Sequence, residues 1–278
     1  MKNSKPVAGR FKLLKEIGRG STGTVFEAID ASNGERVAVK VFKQTVQGDS
    51  VAKQRFLREV EAASRVEHPT IIRIHEWGED AGVTFIAMEY VSGQPLSKLL
   101  SPIAPFPVQT TVHIVHQLAS GLASVHRAGL VHRDIKPDNI MVLKEMAVKL
   151  SDFGVAKVPD SSLTLAGELL GTLQYMSPEQ AKGQLEIDGR SDIFSLGVVL
   201  FEMLTCKRPF DGYGLGLSLI KRIIENPAPQ VTKLKPGIPE AFDFIVRRAL
   251  AKNPADRYQS CDEFAEDLRK TMPPLRVA

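Results

Sequence analysis

His132-Arg133-Asp134-Ile135-Lys136-Pro137-Asp138-Asn139, followed by Asp152-Phe153-Gly154, is the stretch on which the reading of this chain turns. Within one strand-turn-strand it sets a carboxylate (Asp134), an ammonium two residues on (Lys136) and two oxygen side chains suited to a hard divalent cation, Asn139 and Asp152. Moving a phosphoryl group onto a hydroxyl needs such parts: a group that orients the acceptor, and cation charge that stabilises the phosphate in transit. The bland alternative is a polar turn closed by Pro137 and Asp138. Asp-Phe-Gly, eighteen residues after Asp134, weighs against it.

Upstream, residues 11–18 and 24–30 read as strands around a glycine-rich turn, and Asn33-Gly34 signals a hairpin before a strand at 36–42. Asp49 or Ser50 is suited to cap a helix over 51–66. Residues 71–77 and 83–90 form a second strand pair around Asp80-Ala81-Gly82, and Val91-Ser92-Gly93 breaks the pattern as a hinge. Beyond it the periodicity is helical. A long helix over 108–127 stops at Gly129, and apolar helical stretches follow near 190–205, 214–225, 239–251 and 260–271. The last has Ser260 and Glu263 in capping-box spacing. A strand-rich part before a larger helical part predicts an α+β chain of two lobes with a cleft between them.

The chain has 278 residues, 43% hydrophobic and 24% charged, and is long enough for two cores. Its net charge of +4, without a Lys or Arg run and with 6% aromatics, gives no ground for nucleic-acid binding. Cys206 and Cys261 lack metal spacing and suit a reducing cytoplasm. The most apolar stretch, 193–204, is too short for a membrane span and is interrupted by Ser195 and Glu202. His68, His75, His113, His116 and His126 have no ligand partners at useful spacing and read as helix-face or loop residues.

Gly18-Arg19-Gly20-Ser21-Thr22-Gly23-Thr24-Val25 contains GxGxxG. A dinucleotide fingerprint opens a helix, whereas here the residues after the turn are strand-like. A hairpin tip without side chains lets backbone N–H groups close over phosphates. Lys40 lies in the apolar strand Val37-Ala38-Val39-Lys40, where an edge lysine is the ordinary reading. On the following helix Phe56, Glu59, Val60 and Ala63 share a face, while Glu61 points elsewhere. A glutamate on a buried face needs a partner, and Lys40 is the natural one for Glu59.

Together these motifs resemble eukaryotic-type (Hanks-type) Ser/Thr protein kinases, in the manner of the bacterial PknB-like group, over residues 9–270. The resemblance implies the bilobal kinase fold: a small five-stranded antiparallel N-lobe (9–91) with one main helix, and a larger, mostly helical C-lobe (92–272), with flexible ends at 1–8 and 273–278. It implies ATP with Mg2+ or Mn2+ as cofactor. Ile17 and Val25 would cover the adenine, with Ala38 beside it and Met88, Glu89 and Val91 as gatekeeper and hinge. Gly18, Arg19, Gly20, Ser21, Thr22, Gly23, Lys40 and Met141 would complete the nucleotide contacts. Asp134 would orient the acceptor hydroxyl, Lys136 would screen charge, and Asn139 and Asp152 would hold the metal. A lysine two residues after the aspartate is the pattern of Ser/Thr-directed members. His132 and Phe153 would stack with Ala63 and Ile74.

In the family, Thr172 of Gly171-Thr172 would shape the acceptor site, and Ser177-Pro178-Glu179-Gln180 would close the activation segment, with Ser177 where most members have alanine. Glu179 would form a buried ion pair with Arg257, and Asp192 would anchor the catalytic-loop backbone. Arg133 beside Asp134, assisted by Lys157, implies regulation by a phosphate on Ser161, Ser162 or Thr164, with Thr164 as the self-phosphorylated residue. Expected partners are ATP and proteins with Ser/Thr acceptors, and a homodimer is a further expectation that no residue demands. The expected location is cytoplasmic, alone or as the cytoplasmic part of a longer membrane-anchored receptor kinase. A pseudokinase scaffold lacks support, because Lys40, Glu59, Asp134, Lys136, Asn139 and Asp152 are all present. A small-molecule kinase usually lacks the Gly-Thr to Ser-Pro-Glu segment.

Overall fold

The computed structural model describes residues 6–20, 22–43, 50–101, 103–152, 173–212 and 216–271. Strands β1 (Phe11–Arg19), β2 (Gly23–Asp30), β3 (Arg36–Phe42), β4 (Ile74–Asp80) and β5 (Val83–Glu89) form one antiparallel sheet in the order β1-β2-β3-β5-β4. Helix α1 (Ser50–Ser64) interrupts it between β3 and β4. Asp49, one of the two expected caps, lies outside the described residues.

Side-chain alternation along β3 sorts this lobe into two faces. Val37 and Val39 pack with Phe11, Ala28, Phe85 and Ala87 on one side. On the other, Ala38 joins Ile72 and Met88, and Phe42 joins Phe56 and Val60 of α1 and Ile86. Lys40 sits between these last two clusters, paired across the sheet with Val25 on one side and Ile86 on the other. The two-residue period thus puts an ammonium on the face that also carries an apolar patch and α1. At the β4–β5 turn, Ala81 and Gly82 both take positive φ, 48° and 78°, the twist a two-residue hairpin prefers.

One expected boundary moves. The strand foreseen from residue 71 begins at Ile74, because the backbone before it is bonded to the other lobe. Leu150 N–H donates to the Thr70 carbonyl (2.7 Å) and Ile72 N–H to the Leu150 carbonyl (3.0 Å). Ile71 is buried in the large-lobe core.

After the hinge come β6 (Gln94–Pro95), α2 (Leu96–Leu99) and α3 (Val108–Arg127), which ends at Gly129 with φ 74°. Strands β7 (Ile140–Val142) and β8 (Val148–Leu150) complete a three-stranded sheet with β6. A Cβ on Gly93 would lie 2.6 Å from the Val142 carbonyl oxygen, so glycine is required where the hinge meets β7. The remaining helices are α4 (Pro178–Ala181), α5 (Gly189–Thr205), α6 (Leu217–Glu225), α7 (Val231–Leu234), α8 (Ala241–Ala249) and α9 (Cys261–Lys270). Helix α5 is apolar almost all round and buried for most of its length, as expected of a helix at the centre of a core. No helix among the described residues is long and apolar enough to cross a membrane.

At α9 half of the expected capping box forms. Ser260 Oγ accepts from the Glu263 N–H (3.1 Å), but the Glu263 carboxylate accepts from Gln259 N–H (2.8 Å), one residue earlier, and also pairs with Arg248. A complete box stands where none was foreseen, at α4. Ser177 Oγ accepts from Gln180 N–H, and the Gln180 side chain accepts from Ser177 N–H.

Candidate active site

The catalytic loop runs from the end of α3 into β7, and its main chain is tied to α5. Asp192, 1% exposed, accepts from the His132 and Arg133 N–H groups, each at 2.8 Å. The His126 ring, at the C-terminus of α3, reaches the same carboxylate at 2.8 Å. Arg133 takes a left-handed φ of 66°, a sparsely populated conformation for arginine that these bonds hold in place.

His132 is buried, and burial pushes its pKa below the ordinary imidazole value. A neutral ring needs one donor and one acceptor nitrogen. Nε2 lies 3.1 Å from the Ser151 carbonyl, and Nδ1 accepts from the Asp134 N–H at 3.3 Å. The proton therefore sits on Nε2, and the ring links Asp134 to the residue before Asp152.

Around Asp134, Lys136 Nζ stands 3.1 Å from the carboxylate, and Asn139 Nδ2 donates to the Asp134 carbonyl (2.8 Å) and carboxylate (3.0 Å). With its amide nitrogen so engaged, Asn139 has its side-chain oxygen left for a cation. Asp152, at φ 56°, turns its carboxylate to Lys40 of β3, whose Nζ lies 2.6 Å away across 112 residues of sequence. No group of three or more His, Cys, Asp or Glu suited to a metal occurs among the described residues. The donor set Asn139 and Asp152 therefore fits a hard cation that brings most of its oxygen ligands with it, on phosphates and water.

The expected Lys40–Glu59 pair is not formed here. Lys40 is taken by Asp152, and Glu59, 28% exposed on its side chain, lies 3.8 Å from Arg133 Nη1. The helical periodicity put Glu59 on the right face, but at its edge, where a second cation competes for it.

Where the resemblance places the adenine, Ala38, Ile72 and Met88 form a buried patch with Val25 and Val91 against it, while Ile17 is exposed and Met141 of β7 is half-buried. Glu89 N–H donates to the Arg73 carbonyl (2.9 Å). The Glu89 side chain is held by Lys149 at 2.6 Å. In the glycine-rich hairpin, Gly20 N–H donates to the Gly23 carbonyl at 2.9 Å, and Arg19 is bonded to Glu16. A Cβ at Gly23 would sit 2.4 Å from the Val41 carbonyl oxygen, whereas around Gly20 there is open space. Gly23 is thus demanded by strand packing, and Gly20 marks the open side of the tip, with Gly18 and Thr22 flanking it.

Below the catalytic loop, Glu179 of α4 and Arg257 form a buried ion pair at 2.7 and 2.8 Å. Arg257 also donates to the Ala251, Arg190 and Lys252 carbonyls, and Ser191 Oγ donates to Glu179. Burial raises the Glu179 pKa, and the Arg257 bonds outweigh it, leaving the carboxyl below its usual range. Ser21, Phe153, Lys157, Ser161, Ser162, Thr164 and Thr172 lie outside the described residues. Sequence reading missed the contacts of His126 with Asp192 and of Gln180 with the Arg133 carbonyl, each across a long stretch of chain. The Ser177-x-x-Gln180 spacing is a capping-box signal that would have marked the Gln180 side chain as engaged.

A fold of this kind, with a lysine from the small lobe meeting an aspartate beside a tethered Asp134 loop, defines a kinase-like phosphotransferase site. The chain belongs to the protein kinase domain family, whose model matches residues 11–268. It is 40% identical to the serine/threonine-protein kinase pkn3 of Myxococcus xanthus, over 95% of this chain and 50% of that protein. It is 35% identical to the serine/threonine-protein kinase PrkC of Bacillus subtilis, over 95% of this chain and 41% of that one. The chain thus spans half or less of the length of these relatives. Among solved structures it resembles the Mycobacterium tuberculosis PknI kinase domain, with TM-score 0.76 and 29% identity over 96% of this chain and 97% of that one.

Proposed function

We propose that this chain is a protein serine/threonine kinase that transfers the γ-phosphoryl group of ATP to Ser or Thr hydroxyls of proteins, with magnesium or manganese as the metal. The observation that carries the reading is the meeting of Lys40 and Asp152 at 2.6 Å beside the loop bearing Asp134, Lys136 and Asn139. Asp134 orients the acceptor hydroxyl, and Lys136 screens charge between it and the γ-phosphate. Lys40, drawn to Glu59, holds the α- and β-phosphates. Asn139 and Asp152 would hold the cation, which neutralises phosphate charge when bound. The buried patch of Ala38, Ile72 and Met88, with Ile17, Val25, Val91 and Met141 around it, takes the adenine, and Thr172 shapes the acceptor site. A reducing cytosol, where ATP is plentiful, suits two free cysteines.

Arg133 supports regulation by phosphorylation. Its Nε is buried and has no hydrogen-bond partner among the described residues. A phosphate on Ser161, Ser162 or Thr164, with Thr164 preferred and Lys157 assisting, would supply acceptor oxygens. Arg133 would then leave Glu59 to Lys40, and Lys40 would leave Asp152 to the cation.

The test is phosphate transfer from radiolabelled ATP by wild type and Asp134→Asn, offered a generic basic protein or amino alcohols. Labelling of the protein substrate, lost in the variant, is expected. Retained labelling, or labelling of the amino alcohols alone, would overturn the reading. Phosphosite mapping after incubation with ATP checks the regulation: residues 161–164 unmodified at full activity would exclude it.

A further inference from the structure

Arg133, the residue before Asp134, is held through both of its main-chain groups by parts of the chain far from it. Its N–H donates to Asp192 of α5 at 2.8 Å. Its carbonyl accepts from Nε2 of Gln180 in α4 at 3.0 Å, while the Asp134 N–H of the same peptide donates to His132 Nδ1 at 3.3 Å. The same Gln180 side chain accepts the Ser177 N–H at 3.0 Å through its oxygen. The amide orientation is fixed by chemistry. Reversing it would set oxygen against the Arg133 carbonyl and NH2 against an N–H, losing both bonds.

Arg133 has φ 66°, so this unit is not kept in place by backbone preference. Its carbonyl carbon is bonded directly to the Asp134 nitrogen, so freeing that carbonyl loosens the backbone on which the Asp134 carboxylate, held at its far end by Asn139 and Lys136, is mounted. We infer that Gln180 is a positioning residue for the phosphoryl-transfer step: its amide clamps the Arg133 carbonyl and so sets the aim of Asp134. This rests on the proposed kinase reading and deepens it.

Two substitutions divide the functions of the Gln180 side chain. Gln180→Glu keeps an acceptor for the Ser177 N–H and cannot donate to the Arg133 carbonyl. Gln180→Lys keeps a donor for that carbonyl and loses the acceptor that completes the α4 cap. A clamp requires that Gln180→Glu lower kcat for a peptide about tenfold, one hydrogen bond's worth, with KM for ATP unchanged. Gln180→Lys should keep kcat within about twofold while melting earlier through its lost cap. Hydrogen exchange at the Arg133 and Asp134 amides supplies a readout independent of activity: faster in Gln180→Glu, near wild type in Gln180→Lys. Were Gln180→Lys to lose kcat as much as Gln180→Glu, or Gln180→Glu to keep wild-type kcat and exchange, the clamp would be wrong. If wild type transfers no phosphate at all, the kinase reading fails, and the exchange data alone decide the clamp.

Discussion

Asp134 stands on a loop whose main chain is bonded to Asp192, itself 1% exposed, and to Gln180, above a core in which buried residues from α3, α5, α6, α8 and α9 form one continuous cluster. Lys40 stands in a lobe whose buried residues, among those described, fall into three smaller clusters, and its partner Asp152 is 32% exposed on its side chain. The ties differ in degree. The Asp192 carboxylate is itself buried and bonds main-chain N–H groups that no solvent can serve in its place, whereas the side chains of the Lys40–Asp152 and Glu59–Arg133 pairs are 13–32% exposed, so water can take part when these pairs change partners. On the proposed kinase reading, the loop bearing Asp134 is tied to the large lobe, while Lys40 and Glu59 stand in pairs, with Asp152 and Arg133, that the reading requires to be exchanged before transfer.

The contrast can be broken at three places. Arg257→Met leaves Glu179 buried without its cation and should lower unfolding free energy by ~3–5 kcal/mol in urea titration. A loss under about 1 kcal/mol would mean that the α4 anchor is not what holds the large lobe.

His132 gives the next effect. Its native pKa is depressed by burial, so below the unfolded value the unfolded chain binds a proton that the native ring refuses. Stability should then fall as pH drops below about 6.5, by up to about 1.4 kcal/mol per pH unit for this group. His68, also depressed by burial, contributes in the same direction, so the comparison is with His132→Gln, whose slope between pH 7 and 5.5 should be shallower. Equal slopes would place the titration elsewhere.

Glu59→Gln should change stability least, by under about 1 kcal/mol, as suits a partly exposed pair at 3.8 Å. It should nevertheless slow phosphate transfer about 10- to 100-fold, the worth of one charged contact to Lys40. A large stability loss with unchanged transfer would reverse the assignment of exchangeable and fixed halves.

The strands 11–18, 24–30 and 36–42 and the helix over 108–127 were legible in the sequence, because periodicity and turn residues act over a few positions. So was the face of α1 on which Glu59 lies. The start of β4 was not, since Thr70–Ile72 bond to Leu150 of the other lobe. The cap at α9 was half legible: Ser260 and Glu263 have the right spacing, but Arg248, from another helix, competes for the glutamate.

The amino-acid sequence by itself determined which groups this protein owns for its chemistry and on which faces of strand and helix they lie, because side-chain type and the 2.0 and 3.6 periods are local properties. The family resemblance carried two long-range ties, Glu179 with Arg257 and Asp192 with the loop backbone, but the partner of Lys40 and the clasp on the Arg133 carbonyl were decided in tertiary structure alone. Lys40 meets Asp152 across 112 residues, and Gln180 reaches Arg133 across 47. Such contacts depend on distance in space, which the local periods of 2.0 and 3.6 do not record.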